Sequence, residues 1–254
     1  MLSDLLAAYT AVAKWLNENQ GVVGVGIFGV TLLIGWLSGI FSALRRRPKL
    51  KLSLIEGPTF VCTYPVGKKH GDFDVHRTGV ALYLRLANIG SAATSIGRIS
   101  VGYHWNVLRF TRVWVRYGLG WFWLHDQIAA IHDFQVKIGE NLKIFPFLTQ
   151  ASTLASTRVS SFLEPGQIES GVVYFEQSDS WGGCFPSAGR KGVQVRVAVA
   201  DAFGRKHVAT FDVPSVSFAD ARKFNPSFGK ALAELHGRPL PADFEPTQPE
   251  SAAQ

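Results

Sequence analysis

Cysteine is scarce: Cys62 and Cys184 are the only two in 254 residues. Two thiols suit a reducing compartment, although in an oxidising one they could form a single disulfide. Signatures of catalysis are lacking too. No GxSxG, no phosphate-binding glycine loop and no paired-carboxylate motif occurs, and His104, His125 and His132 match neither a zinc spacing nor HExxH. The string Gly24-Val-Gly26-Ile-Phe-Gly29 does fit GxGxxG, but it lies inside an apolar run where it cannot serve a dinucleotide. No metal, no cofactor and no enzymatic activity is therefore expected. Cys184, in Ser180-Trp-Gly-Gly-Cys-Phe-Pro186, would act as a nucleophile only with a histidine beside it, and a buried structural thiol is the plainer reading. Charge is absent altogether from Gly21 to Leu44, 24 residues, and no second run of this kind follows. The expectation is one membrane crossing.

At about 1.5 Å rise per residue the uncharged run makes a helix of about 36 Å, enough for a hydrocarbon core of about 30 Å with some tilt. Residues 21–44 are predicted to be the transmembrane helix. Asp4, Lys14 and Glu18 precede it, whereas Arg45, Arg46, Arg47, Lys49 and Lys51 follow at once in the basic juxtamembrane segment 45–51. The positive-inside rule puts that side in the cytoplasm, so the chain is expected in the cell inner membrane, single-pass, with its N-terminus outside and the body after the span cytoplasmic. A signal peptide would carry its basic residues ahead of a shorter apolar run. In residues 1–20, Leu5, Ala8, Tyr9, Val12, Trp15 and Leu16 recur at helical spacing, with Ser3 as the N-cap of a short amphipathic helix. It either lies on the outer membrane surface or extends the span outward. Gly35, Gly39 and Ala43 form a small-residue stripe through which two spans could pack as a homodimer; the alternative is an unpartnered span.

Beyond the juxtamembrane segment the pattern changes to short alternating stretches broken by Gly, Pro, Asn and Asp. Strands are predicted at Lys49–Ile55, Thr59–Tyr64, Gly79–Asn88, Ser95–Tyr103, Phe134–Ile138, Leu142–Phe147, Gln167–Glu176, Val193–Ala200 and Lys206–Val213. Period 2 is plainest in Val80, Leu82, Leu84 and Leu86, and in Val193, Val195, Val197 and Val199. Asp201-Ala-Phe-Gly204 is a hairpin-turn signal between the last two strands. The fold class is mainly β: an N-terminal transmembrane α-helix, then an antiparallel β-sandwich over 52–217 with an aromatic insertion at 103–132. A helical segment at 218–236 follows, as Phe218–Phe224 stopped by Asn225-Pro226 and then Ser227–Leu235. The polar tail 237–254, with four prolines, is expected to be disordered.

Leu84-Arg-Leu-Ala-Asn88-Ile-Gly90 followed by Ser95-Ile-Gly-Arg-Ile-Ser-Val101 resembles the strand, Asn-x-Gly turn and strand of many bacterial immunoglobulin-like modules. Leu163-Glu-Pro-Gly-Gln167 leading into Gly171-Val-Val-Tyr-Phe175 is similar to their Pro-Gly turn before a late strand. The resemblance covers about half of the extramembrane region and its motifs are structural. The whole chain resembles single-pass bacterial membrane proteins that carry one cytoplasmic immunoglobulin-like domain, a class that implies no known active site. The aromatic insertion departs from that pattern, being longer than a simple sandwich loop.

The insertion is the most unusual soluble segment. In Tyr103–Leu124, Trp105, Trp114, Trp121 and Trp123 stand among Arg109, Arg112 and Arg116. If Val107–Tyr117 is a helix, the arginines share one face and the apolar residues the other, giving a basic amphipathic element suited to an anionic membrane surface. If it is a strand, Phe110, Arg112, Trp114 and Arg116 point one way; the β-branched and aromatic content favours strand or hairpin. The rings then either pack the sandwich under arginine stems, or form a membrane-proximal or partner-binding surface, or line a ligand pocket. The net charge is +7, but five cations belong to the stop signal and no recognition helix or RNA-binding aromatic signature appears, so nucleic acid is not the expected partner.

These features predict a non-enzymatic interaction module held at the membrane surface, contacting membrane lipid and another inner-membrane protein. Trp105, Arg109, Arg112, Trp114, Arg116, Trp121 and Trp123 are expected to carry recognition. The alternative is a membrane effector that senses a small anionic, nucleotide-like ligand and oligomerises through its span. A hydrolase using Cys184 or His125 ranks third.

Overall fold

The computed structural model describes residues 2–39, 46–152, 154 and 162–230. They form two compact units, one ending at Arg47 and one beginning at Pro48. Ala43 and Arg45, residues 40–44 of the expected span, residues 231–235 of the expected last helix and the tail 237–254 lie outside the described residues.

In the first unit, α1 (Leu2–Glu18) is followed by α2 (Gln20–Leu37). Asn19 between them departs from helical angles, at φ −117° and ψ 30°. Helical bonding nevertheless runs through it: Asn19 N–H donates to the Trp15 carbonyl and Val23 N–H to the Asn19 carbonyl, each at 3.0 Å. This continuity favours the reading in which the amphipathic segment extends the apolar helix. Ser3 lies inside α1 and is not its cap. α2 is long and apolar enough to cross a membrane, and none of its side chains is buried. It ends sooner than expected. Ser38 caps it, and Gly39 turns into the left-handed region at φ 76°.

The second unit is β. In chain order its strands are β1 (Leu50–Leu54), β2 (Phe60–His70), β3 (Phe73–Asn88), β4 (Thr94–Tyr103), β5 (Phe122–Leu124), β6 (Phe134–Ile138), β7 (Asn141–Phe145), β8 (Phe162–Leu163), β9 (Ile168–Trp181), β10 (Ala188–Gly189), β11 (Gly192–Asp201) and β12 (Lys206–Val213). All strand pairs are antiparallel. The long β3 organises the first sheet: β2 pairs with its first part and β1 with its last five residues, while β9 pairs along most of its length. In the second sheet β11 is central, with β12 on one edge and β4 on the other, and β5 joins the far edge of β4.

The two sheets pack as a sandwich. Val80, Leu82, Leu84 and Leu86 of β3, with Val173 and Phe175 of β9, meet Val193, Val195, Val197 and Val199 of β11 and Val101 and Tyr103 of β4, all buried. Period-2 alternation thus puts the expected residues into one core. The first sheet buries its other face as well. Phe60, Cys62 and Tyr64 of β2, Ala81 of β3, and Val172 and Tyr174 of β9 point away from the sandwich core into a second cluster. Phe134, Phe145 and Phe147 cover it from the β6–β7 hairpin side, and Ala221 and Phe228 from the C-terminal side. Phe60 stacks on Phe224 at 5.7 Å and meets Phe228 edge-on at the same distance.

Polar side chains fasten the turns. Buried Asn88 accepts from the N–H groups of Lys49 (3.4 Å) and Gly90 (3.1 Å) and donates to the carbonyls of Ala92 (2.8 Å) and Leu163 (3.1 Å). It ties the Asn88–Gly90 turn to the start of β1 and to the Pro-Gly turn, where Gly166 adopts φ 83°. Asp201 closes the β11–β12 hairpin, its Oδ1 accepting from Phe203 and Arg205 N–H at 2.9 Å each. Its Oδ2 accepts from His207 Nε2 at 2.9 Å, and His207 Nδ1 accepts from Leu50 N–H at 3.3 Å, linking this hairpin to β1.

Two expectations change. β2 and β3 extend past Tyr64 and ahead of Gly79 as a long arm joined at Gly71-Asp72, with Pro65 at a shift of register. Pro65 and the polar run after it argue against a strand, but proline is tolerated where the ladder is already irregular. After α3 (Phe218–Phe224), capped by Ser217 and ended before Pro226, residues 226–229 form a turn rather than a second helix, with Gly229 at φ 73°.

Candidate interaction surface

The insertion leaves β4 at Tyr103 and returns as β5 to pair with the same strand, Tyr103 opposite Phe122 and Gly102 opposite Trp123. Its root is held by backbone bonds of 2.8 Å: Trp105 N–H to the Tyr117 carbonyl, Asn106 N–H to Phe185 and Ser187 N–H to His104. Val107–Tyr117 is neither the favoured strand nor one helix. Residues 107–111 are a loop, residues 112–119 are helical, and Trp114–Leu119 is a π-helix. Thr111 starts the turn, its hydroxyl accepting from Trp114 N–H at 3.0 Å.

This path splits the seven expected residues. Trp105 packs inward on the main core, its ring 4.4 Å from Tyr117 and 4.5 Å from Phe122. Trp114 is half-buried, its ring tilted against Phe110 with centroids 5.5 Å apart. Arg109, Arg112 and Arg116 are exposed, Arg116 lying 5.1 Å over the Tyr117 ring. Between them Leu108 and Phe110 stand 80% and 90% exposed, with Val113, Val115 and Leu119 also exposed. Phe110 holds φ 66°, the only non-glycine positive φ among the described residues. A left-handed backbone costs a bulky residue about 1 kcal/mol or more, and here the ring it directs outward gains little burial. The result is an apolar tip ringed by arginines.

Trp121 and Trp123 belong elsewhere, on the outer face of the second sheet. Cross-strand register sets this face in rows: Thr210, Arg196, Gly102 and Trp123 in one, Val208, Ala198 and Ser100 in the next, and Lys206 beside Ala200 in the third, with Arg98 adjoining. The Arg196 guanidinium lies 4.2 Å over Trp121, whose ring is 4.0 Å from His104. His125 Nδ1 and the Ser100 hydroxyl are 3.2 Å apart. Arg98, Ser100, Trp123, His125, Arg196, Ala198, Ala200, Lys206 and Val208 line a groove of about 430 Å³. A separate cleft of about 540 Å³ is bordered by Trp105, Arg109 and Trp114 together with Arg190, Lys191 and Asp212. Arg98, Arg196 and Lys206 had no motif to announce them. Their signal is the run of small residues, Ser100, Gly102, Ala198 and Ala200, on strand positions facing solvent, which leaves space that longer cations border.

The residues weighed for catalysis stay apart. His104 Nδ1 is 2.7 Å from the Gly120 carbonyl, His125 contacts Ser100, and His132 contacts the Ser227 hydroxyl. No group of three metal-ligating side chains occurs among the described residues. Both cysteines are free thiols. Burial pushes the Cys62 thiol up to about 11 and raises Cys184 as well, the reverse of what activates a nucleophile.

The fold and surface define a class: an antiparallel β-sandwich preceded by one apolar helix, with an exposed basic and aromatic insertion. No protein-family model matches the chain, and no curated protein is significantly similar to it.

Proposed function

We propose that the protein is a membrane-anchored, non-enzymatic interaction module, single-pass in the bacterial inner membrane with its N-terminus outside, whose immunoglobulin-like sandwich works in the cytoplasm at the membrane surface. The observation that carries this reading is the tip at Leu108–Leu119, where Leu108 and Phe110 are almost wholly exposed among Arg109, Arg112 and Arg116. Aromatic and arginine side chains are the ones that dominate binding energy at protein interfaces, and desolvating Phe110 on a partner contributes about 2 kcal/mol. Tethering adds effective concentration, so a weak contact with another membrane protein suffices. The arginines following α2 support the orientation.

A photo-crosslinking residue at Phe110 tests the reading in intact cells, with reporter fusions after Gln20 and Gln254 fixing sidedness. The expected result is a discrete adduct to a second membrane protein that disappears when Arg109, Arg112 and Arg116 are replaced by Glu. Absence of any protein adduct, or an external carboxyl terminus, overturns it. The second reading, an effector sensing a small anionic ligand, draws support from the basic groove on the second sheet.

A further inference from the structure

We infer that the groove on the outer face of the second sheet is a binding site for a nucleotide: a small phosphorylated molecule with a planar ring. This deepens the second reading above and makes no use of the insertion tip.

The floor is made of small residues. Ser100, Ala198 and Ala200 occupy outward strand positions, and Ser100 and Ala198 are nonetheless buried under their longer neighbours. At one end Trp123 lies flat over Gly102, where a side chain's Cβ would sit 3.0 Å from the indole; a larger residue at 102 would lift the ring away. Arg196 stands in the same row, held by Trp121 beneath it and by the Thr210 hydroxyl at 3.4 Å. At the other end, two rows away and thus about 14 Å along the strands, are Arg98 and Lys206. The groove therefore has an aromatic end and a cationic end, separated by roughly the length of a mononucleotide.

Charge selects the ligand class. Arg98, Arg196 and Lys206 line the groove, no carboxylate does, and among the described residues none of the three forms an ion pair. Arg98 and Lys206 border the same end of the groove without a counter-charge, and an anion there relieves their repulsion while accepting charge-assisted hydrogen bonds. Phosphate oxygens fit Arg98 and Lys206, and the Ser100–His125 pair adds donors at mid-groove. A base would lie against the Trp123 ring with Arg196 at its edge. The volume, about 430 Å³, falls within the range of small-molecule sites. Apart from His125, which follows β5, the lining residues stand on paired strands, so the site is formed before the ligand arrives.

The test is binding of ATP, AMP and pyrophosphate to the full-length protein in detergent micelles, followed by calorimetry. ATP is expected to bind saturably, and Arg98→Ala with Lys206→Ala to weaken it at least tenfold, since each lost charge-assisted bond is worth about that much. Trp123→Leu keeps the strand packing and is expected to erase the preference for ATP over pyrophosphate. Thermal unfolding checks that each variant is folded. Lack of saturable nucleotide binding up to about 1 mM, or binding indifferent to the cation replacements in folded protein, refutes the site. Pyrophosphate binding as tightly as ATP refutes the ring contact and with it the nucleotide assignment. None of these results bears on crosslinking at Phe110, so the two proposals fail separately.

Discussion

Replacing Asp201 with Asn changes one atom type and leaves the shape intact, which isolates the hydrogen-bond logic of the hairpin. Asp201 is buried, with one carboxylate oxygen accepting from Phe203 and Arg205 N–H and the other facing His207 Nε2, all at 2.9 Å. Because His207 Nδ1 accepts from Leu50 N–H at 3.3 Å, the imidazole proton sits on Nε2 and points at the carboxylate. Every partner is thus a donor, and asparagine has only one acceptor oxygen. If that oxygen faces the turn, the amide nitrogen opposes the imidazole N–H. If the imidazole changes tautomer instead, Leu50 N–H loses its acceptor. One charge-assisted bond is lost and one buried donor is stranded, a cost of about 2–4 kcal/mol. For a domain of this size that lowers Tm by about 5–15 °C. Burial opposes ionisation of Asp201, but the bonds from His207, Arg205 and Phe203 outweigh it and hold its carboxyl below the ordinary 3.8. A lowered folded pKa gives stability that is present above the ordinary value and lost as pH falls through the folded one. The gap between wild type and Asp201→Asn should therefore be constant at neutral pH and close below about pH 4. Thermal unfolding of both full-length proteins in detergent, followed by near-ultraviolet circular dichroism from pH 7 downward, reads both effects. A neutral-pH difference under about 0.5 kcal/mol, or a gap that widens in acid, would refute the reasoning.

Gly171→Ala should destabilise the domain by about 1–3 kcal/mol, measured by urea unfolding, because the new methyl would lie 2.4 Å from Leu148 N and 2.5 Å from its Cα, backbone atoms fixed by the bond to Val172. An unchanged midpoint would mean that the 146–148 segment is free to shift. Cys62, buried with its thiol pushed up to about 11, should resist iodoacetamide at pH 8 in folded protein and react once urea is added, while half-buried Cys184 reacts at an intermediate rate; mass spectrometry of the labelled peptides distinguishes them. A raised folded value also means that Cys62 stabilises fully below its unfolded pKa and loses that contribution between about pH 9 and 11, a loss that Cys62→Ala should abolish.

Some of this architecture is written locally. The alternation in β3 and β11 needs only a strand with one face in a core, and the Asp201–Gly204 and Asn88–Gly90 turns need only short-range bonds that Asp, Asn and Gly make by themselves. The β2–β3 arm was obscured because its residues are polar and bury little, leaving no apolar period to read beyond Tyr64. The insertion misled for another reason. Its β-branched and aromatic residues favour a strand, yet Thr111 nucleates a helical turn and only Phe122–Leu124 return to the sheet.

The sequence by itself determined the apolar helix, the antiparallel strands and the faces that form the sandwich core, since these follow from hydrophobic period and turn chemistry within a few residues. Tertiary structure alone decided three things. It buried the second face of the first sheet, because the cover over Phe60, Cys62 and Tyr174 comes from Phe134, Phe145, Phe147 and Phe228, far along the chain. It divided the seven expected recognition residues between a packed root, an exposed tip and the outer sheet face, because the π-helix reorients the chain halfway through the insertion. And it gathered Arg98, Arg196 and Lys206 around one groove, because strand pairing sets residues about a hundred positions apart side by side, a proximity that no local pattern encodes.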